Sequence, residues 1–134
     1  MKGSLVVGLS KTRRWSIDEG RTIGILGPES RVYATPYLIH DLETTCREFL
    51  LEHVESGEDS VGTKVDLDHL APTPLGMWVD ITVTVAKVNG RAVSFAFTAA
   101  DALDTVASGQ HGRFVADVEK TKARLAAKAQ KAGL

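Results

Sequence analysis

One cysteine, Cys46, is present in 134 residues. That excludes an internal disulfide and any metal centre built from clustered thiolates. No apolar run approaches the ~20 residues needed to span a bilayer. A signal peptide is not expected either, because Arg13 and Arg14 follow the apolar patch near the N-terminus instead of preceding it. The net charge of −1 gives no electrostatic case for nucleic acid or a membrane surface as partner. Internal repeats are lacking, as is any linker that would divide domains. What remains is ordinary in composition, with 43% hydrophobic and 25% charged residues. Such a chain forms a single domain, 1–134, able to bury a core without staples, and cytoplasmic residence is the default expectation.

The most informative stretch is 35–55, TPYLIHDLETTCREFLLEHVE. Thr35 offers a capping oxygen and Pro36 a fixed φ suited to a first helical turn. At 100° per residue, Ile39, Leu42, Cys46, Phe49, Leu50 and Val54 form one apolar stripe, with His40, Thr44, Glu48, Glu52 and Glu55 opposite. Cys46 is thereby a core residue before it is a nucleophile. Glu43 falls inside the apolar arc. A carboxylate taken from water costs several kcal/mol unless it is paired, so the position asks for a partner or a task.

Around this helix the signal is β. Residues 4–9 read as a short strand or a packed arm, 12–18 as a strand with Trp15 and Ile17 on one side, and RTIGIL as a second short strand ended by Gly27-Pro28-Glu29-Ser30. In 61–70 the odd positions Val61, Thr63, Val65, Leu67 and His69 make the expected buried face. Pro72 and Pro74 make the next segment a corner. Residues 78–88 alternate through Val79, Ile81, Val83 and Val85, Asn89-Gly90 signals a hairpin, and the return carries Val93, Phe95, Phe97 and Ala99. A last strand covers 105–116, with Gly109 and Gly112 marking a bulge or bend. Residues 118–134 form a basic, Ala-rich helical tail exposed to solvent. An α+β fold follows, in which a sheet with one apolar face wraps one helix with one apolar stripe.

In that arrangement Glu43 interrupts the helix's apolar face and His69 ends the apolar face of a strand. Both then project into one interface, a carboxylate and an imidazole able to meet in a cleft. The helix start, eight residues before Glu43 and about 12 Å away, supplies positive dipole and amides suited to a carbonyl or oxyanion.

The strand order, the TP…LE…C helix, the segment GEDSVGTKVDLDHLAPTPLGM and the later GQHGR resemble the hotdog-fold acyl-CoA thioesterases, nearest to their fluoroacetyl-CoA thioesterase-like branch. The resemblance spans about residues 5–120. It implies that Thr35, Glu43 and His69 form the catalytic set and that Gly62 presents a backbone amide to the site, against the ordinary reading of a strand glycine admitting the helix. Pro36 and Arg113 join as substrate-binding candidates. Arg113 and the lysines of 120–131 are cations available for coenzyme A phosphates, with solvated surface charge as the ordinary reading. The implied assembly is a homodimer in which one continuous sheet encloses two helices, with a tetramer left open. The implied substrate is an acyl-CoA, with no metal and no cofactor beyond the coenzyme A of the substrate. The short connection from Pro28-Glu29-Ser30 to the helix leaves room for only a small lid. Two other activities compete: a hotdog enoyl-CoA hydratase or dehydratase, and a non-catalytic binder of acyl or aromatic ligands.

Overall fold

The computed structural model describes residues 1–134. Strands β1 (Ser10–Ser16), β4 (Glu58–His69), β5 (Trp78–Asn89), β6 (Ala92–Ala100) and β7 (Thr105–Asp117) build one antiparallel sheet. Their order is β1-β5-β6-β7-β4. A two-residue pair, β2 (Thr22–Ile23) with β3 (Val32–Tyr33), leads into helix α1 (Thr35–Leu51), and helix α2 (Val118–Lys131) closes the chain. No helix is long and apolar enough to cross a membrane.

The period-two patterns of β5 and β6 turn Val79, Ile81, Val83, Val85, Val93, Phe95, Phe97 and Ala99 onto one face, all of them buried. Helix α1 lies on that face through Leu38, Leu42, Cys46, Phe49 and Leu50, also buried. Each such leucine contributes roughly 2 kcal/mol relative to exposure. Burial pushes the Cys46 thiol up to about 12, as a core residue requires. The hairpin turn falls one residue later than expected. Asn89 still pairs with Ala92, and Gly90, at φ 60°, takes the first central position of a turn of type II′ character.

Of the two readings open for residues 4–9, the packed arm holds, with Leu5 buried. Three local expectations are corrected. Only Thr22 and Ile23 of RTIGIL pair as strand, while Ile25 and Leu26 stand exposed in the following loop. The long helix stops at Leu51, and 52–54 form a turn in which Val54 is still buried. Its buried stripe is centred nearly one residue earlier than the sequence suggested. Leu38, Asp41 and Thr45 are inside, Ile39 is only half-buried, and Glu43 sits at the rim. Helix α2 has no buried residue, as expected of a solvated tail.

Candidate functional site

The fully buried carboxylate of α1 is Asp41, not Glu43. Tyr33 donates its hydroxyl to Asp41 Oδ2 at 2.6 Å and Arg21 donates Nε to the same oxygen at 2.9 Å. Burial, then Asp41, drives the Tyr33 phenol far above its usual range. The Arg21 carbonyl also accepts from the Ala34 amide at 2.9 Å. This cluster ties the β2–β3 segment to the helix start and so fixes where Thr35 stands. Spacing alone did not reveal it, because the stripe was centred on Glu43's side of the helix.

Thr35 is not the cap. Ala34 occupies the cap position, with no side-chain bond, and Thr35 is the first helical residue. Its Oγ1 instead hydrogen-bonds His69 Nδ1 at 2.7 Å. Pro36 carries no N–H, and the amides of Tyr37 and Leu38 donate to the Ala34 carbonyl. The polar groups at this end are therefore the Thr35 amide and hydroxyl, fewer than a bare helix start offers. Thr35 and His69 line a cavity of about 350 Å³ with Ile23, Val32, Leu70 and Pro72. His69 Nε2 is buried without a hydrogen-bond partner in the chain. Burial lowers the His69 pKa from the ordinary 6.5, with the Ala71 backbone opposing.

Strand β4 reaches this point only through a bulge. Gly62 pairs with Arg113 and Lys64 with Gly112, so the register shifts at Thr63. Ser60 and Gly62 face inward before it, opposite the buried Val115 and Arg113; Val65, Leu67 and His69 face inward after it, opposite His111, Gly109 and Ala107. The uniform odd face expected from alternation is therefore wrong for Val61, which is 49% exposed. A regular strand that turned Gly62 inward would turn His69 outward. On β7, Gly109 permits the closest approach. A Cβ there would lie 2.1 Å from the Asp66 carbonyl oxygen.

Glu43 stands two turns down the helix, beside the first half of β4. Its side chain is 41% exposed, and Oε2 lies 3.5 Å from Arg113 Nη1. A Cβ on Gly62 would come within 2.7 Å of that oxygen. The missing side chain is thus what admits the carboxylate, which favours the ordinary reading of Gly62. Arg113 is not a surface cation awaiting phosphate. It is buried, with Nε on Ser60 Oγ at 2.7 Å, Nη2 on the Ser60 carbonyl at 2.8 Å, and Nη1 3.1 Å from His111 Nε2. Ser60 and His111 were not singled out in sequence. Their signal was inward alternation of His111, Arg113 and Val115 on the last strand, noticed only as the string GQHGR.

The carboxylate and the His69 imidazole do not meet within one chain. Glu43 lines a second cavity, about 310 Å³, with Pro36, Ile39, His40, Thr44, Arg47 and Arg113, and the two cavities share no residue. Pro36 thus borders the Glu43 side. No group of His, Cys, Asp and Glu side chains is arranged to hold a metal.

His111 resembles His69 electrostatically, since burial first, then Arg113, lowers its pKa from 6.5. Below about 6.5 the unfolded chain therefore binds protons that the folded one refuses, so stability falls as pH falls through that window. The lowered carboxylates Asp59, Asp80 and Asp101 act only near and below their ordinary 3.8. Urea unfolding at pH 5.5 is expected to show a lower midpoint than at pH 7.5 with an unchanged slope. An equal midpoint at the two values would contradict the burial assigned to the two imidazoles.

Residues 17–119 match the family described as fluoroacetyl-CoA-specific thioesterase. A curated fluoroacetyl-CoA thioesterase of Streptantibioticus cattleyicolor is 33% identical over 132 residues, covering 93% of this chain and 95% of its own. Among solved structures, a point variant of a fluoroacetyl-CoA-specific thioesterase in complex with fluoroacetate and CoA superposes with a TM-score of 0.79 at 32% identity, over 87% of this chain and 99% of that one. A hot-dog-like protein from Thermanaerovibrio acidaminovorans reaches 0.83 at 26% identity, covering 91% of each chain. With the sheet curled round α1 in the order described, these matches place the chain in the hotdog-fold fluoroacetyl-CoA-specific thioesterase family.

Proposed function

We propose that the protein hydrolyses the thioester of a small or medium acyl-CoA, releasing a carboxylic acid and coenzyme A. One observation carries the assignment of the reacting group: a half-exposed carboxylate, Glu43, is held by the buried Arg113 at a gap opened by Gly62. A solvated surface carboxylate needs no such holder. Glu43 acts on the thioester carbonyl carbon, either by taking a proton from an attacking water or by adding directly to form an anhydride that water then opens. The C–S bond breaks in both routes and the electrons leave on sulfur. A thiolate leaves readily, so the reaction calls for neither metal nor redox cofactor. Thr35, through its hydroxyl and amide, stabilises the developing oxyanion, worth about 3 kcal/mol for one good donor. His69, neutral at pH 7 because it is buried, orients Thr35: its Nδ1–H donates to Oγ1, which leaves the hydroxyl hydrogen for the oxyanion. The departing thiolate takes its proton from water.

Two halves of a site two helical turns apart, roughly 12 Å along the axis, need something to bring them together. Strand β4 is the sheet edge, paired with β7 on one side only, and Val61 and Val65 on it are 49% and 36% exposed. A long, open edge of this kind is a template for a second strand. Antiparallel pairing of β4 with its own copy about Val65–Asp66 sets Gly62 of one chain opposite His69 of the other. In the resulting homodimer, each site takes Glu43, Gly62 and Arg113 from one chain and Thr35 and His69 from its partner. Cytoplasmic residence, where acyl-CoA thioesters are made and used, completes the assignment.

The cavity beside Thr35 and His69 carries Ile23, Val32, Leu70, Ala71 and Pro72 and no Asp, Glu, Lys or Arg side chain. Uncharged acyl groups are therefore preferred. In a thiol-release assay, kcat/KM for acetyl-, butyryl- and isobutyryl-CoA is expected to exceed that for malonyl- and succinyl-CoA by at least about tenfold, the cost of burying one unpaired carboxylate being well above 1.4 kcal/mol. Release of thiol from none of these would reject the hydrolase assignment. Tight binding of an acyl-CoA without release would favour a binding protein in its place.

A further inference from the structure

The proposed chemistry occupies Glu43, Thr35 and His69 and leaves one buried imidazole without a task. His111 is 1% exposed. Its Nδ1 lies 2.7 Å from the Lys64 carbonyl oxygen, just past the β4 bulge. A carbonyl can only accept, so Nδ1 bears the hydrogen, and in a neutral ring Nε2 keeps its lone pair. That lone pair faces Arg113 Nη1 at 3.1 Å, and a guanidinium can only donate. The same Nη1 is 3.5 Å from Glu43 Oε2. The rest of the guanidinium is fixed on Ser60, at its hydroxyl and its carbonyl. Each hydrogen of Nη1 then has its own acceptor, one on His111 and one on Glu43.

We propose that His111 is a positioning residue for thioester cleavage: as the Nδ1–H tautomer locked to the Lys64 carbonyl, it accepts one Nη1 hydrogen of Arg113 and thereby aims the other at the Glu43 carboxylate. This role rests on Glu43 being the group that acts on the thioester. The ring makes its hydrogen bonds to the Lys64 carbonyl and Arg113, not to Glu43, and it lines neither of the two cavities. Protonated, it would set a hydrogen against a hydrogen and a cation against a cation, so only the neutral form fits. The Gly62 gap adjoins the same device: a Cβ there would press on Glu43 Oε2 at 2.7 Å and reach ordinary contact with His111 Cε1 at 3.4 Å.

Two substitutions separate this role from simple packing. His111→Asn keeps a donor for the Lys64 carbonyl and places nothing at the Nε2 position. His111→Gln carries an amide oxygen to that position. Misaiming a reacting group by a fraction of an ångström costs about tenfold or more, so His111→Asn is expected to lower kcat about tenfold with KM changed less than about twofold. His111→Gln is expected to recover most of that loss. In an Arg113→Gln background the same His111→Asn change is expected to cost less than about twofold, since a residue acting through Arg113 has nothing left to act on.

Glu43→Gln is assayed alongside. Retained activity there removes the assignment of Glu43, whatever the His111 variants do. If Glu43→Gln is inactive, the relay alone is overturned by full multiplication of the His111 and Arg113 effects, or by His111→Gln as impaired as His111→Asn. Substitution at a fully buried position risks unfolding the chain, so the unaltered protein supplies a further check. Nitrogen-15 NMR of the imidazoles at pH 7 is expected to show His111 protonated at Nδ1 and bare at Nε2, and a hydrogen on Nε2 would overturn the proposal without any variant.

Discussion

Glu43→Gln is expected to lower kcat for acyl-CoA hydrolysis by on the order of 10³-fold, the range that a positioned base or nucleophile supplies. KM is expected to stay within about threefold, because binding and cleavage use different parts of the site. Glutamine has the same length and still offers an oxygen to Arg113 Nη1, but it can neither take a proton nor form an anhydride. The fold should tolerate the change. Glu43 is 41% exposed, so its ion pair is screened, and Arg113 retains Ser60 and His111 as acceptors. A melting temperature within about 3 °C of the parent is expected for a loss near 1 kcal/mol or less. Glu43→Asp draws the carboxylate back by about 1 Å and is expected to cost about 10²-fold. Undiminished turnover by Glu43→Gln on every acyl-CoA the parent cleaves would end the assignment.

The fold was legible because its two strongest signals are periodic. Val79 to Val85 and Val93 to Ala99 alternate without interruption, and Leu42, Cys46, Phe49 and Leu50 repeat at helical spacing; both patterns are the residues found buried. What was illegible depended on one-residue offsets. The bulge at Thr63 has no sequence mark beyond Gly62, yet it reverses which residues of β4 face the helix. A shift of the helix stripe by less than one residue exchanges the positions of Glu43 and Asp41, turning the expected buried carboxylate into a rim residue and the unremarked one into the core anchor. Thr35 was read as the helix cap, but its hydroxyl meets His69 and not the helix amides. Arg113 looked like surface charge because an isolated arginine in a strand usually is. Only the tertiary pairing with Ser60, His111 and Glu43 makes its burial affordable.

The separation of Glu43 from His69 within one chain leads to the second large effect. Chains carrying Glu43→Gln and chains carrying His69→Asn, each expected to be nearly inactive as homodimers, should recover activity when they are coexpressed. If each site joins Glu43 of one chain to Thr35 and His69 of its partner, a mixed dimer collects both lesions in one site and leaves the other intact. Random pairing makes half the dimers mixed, so about a quarter of the parent activity should return. Sites built within single chains would carry a lesion each, and nothing would return. The direct contact of Thr35 with His69, 2.7 Å inside one chain, sharpens the test. Thr35→Ala should complement Glu43→Gln as His69→Asn does, but Thr35→Ala and His69→Asn should fail to complement each other, because every site of their mixed dimer inherits one damaged half. Recovery in that third pairing, or its absence in the first two with mixed dimers verified by differently tagged chains, would mean that the open edge of β4 does not assemble the site.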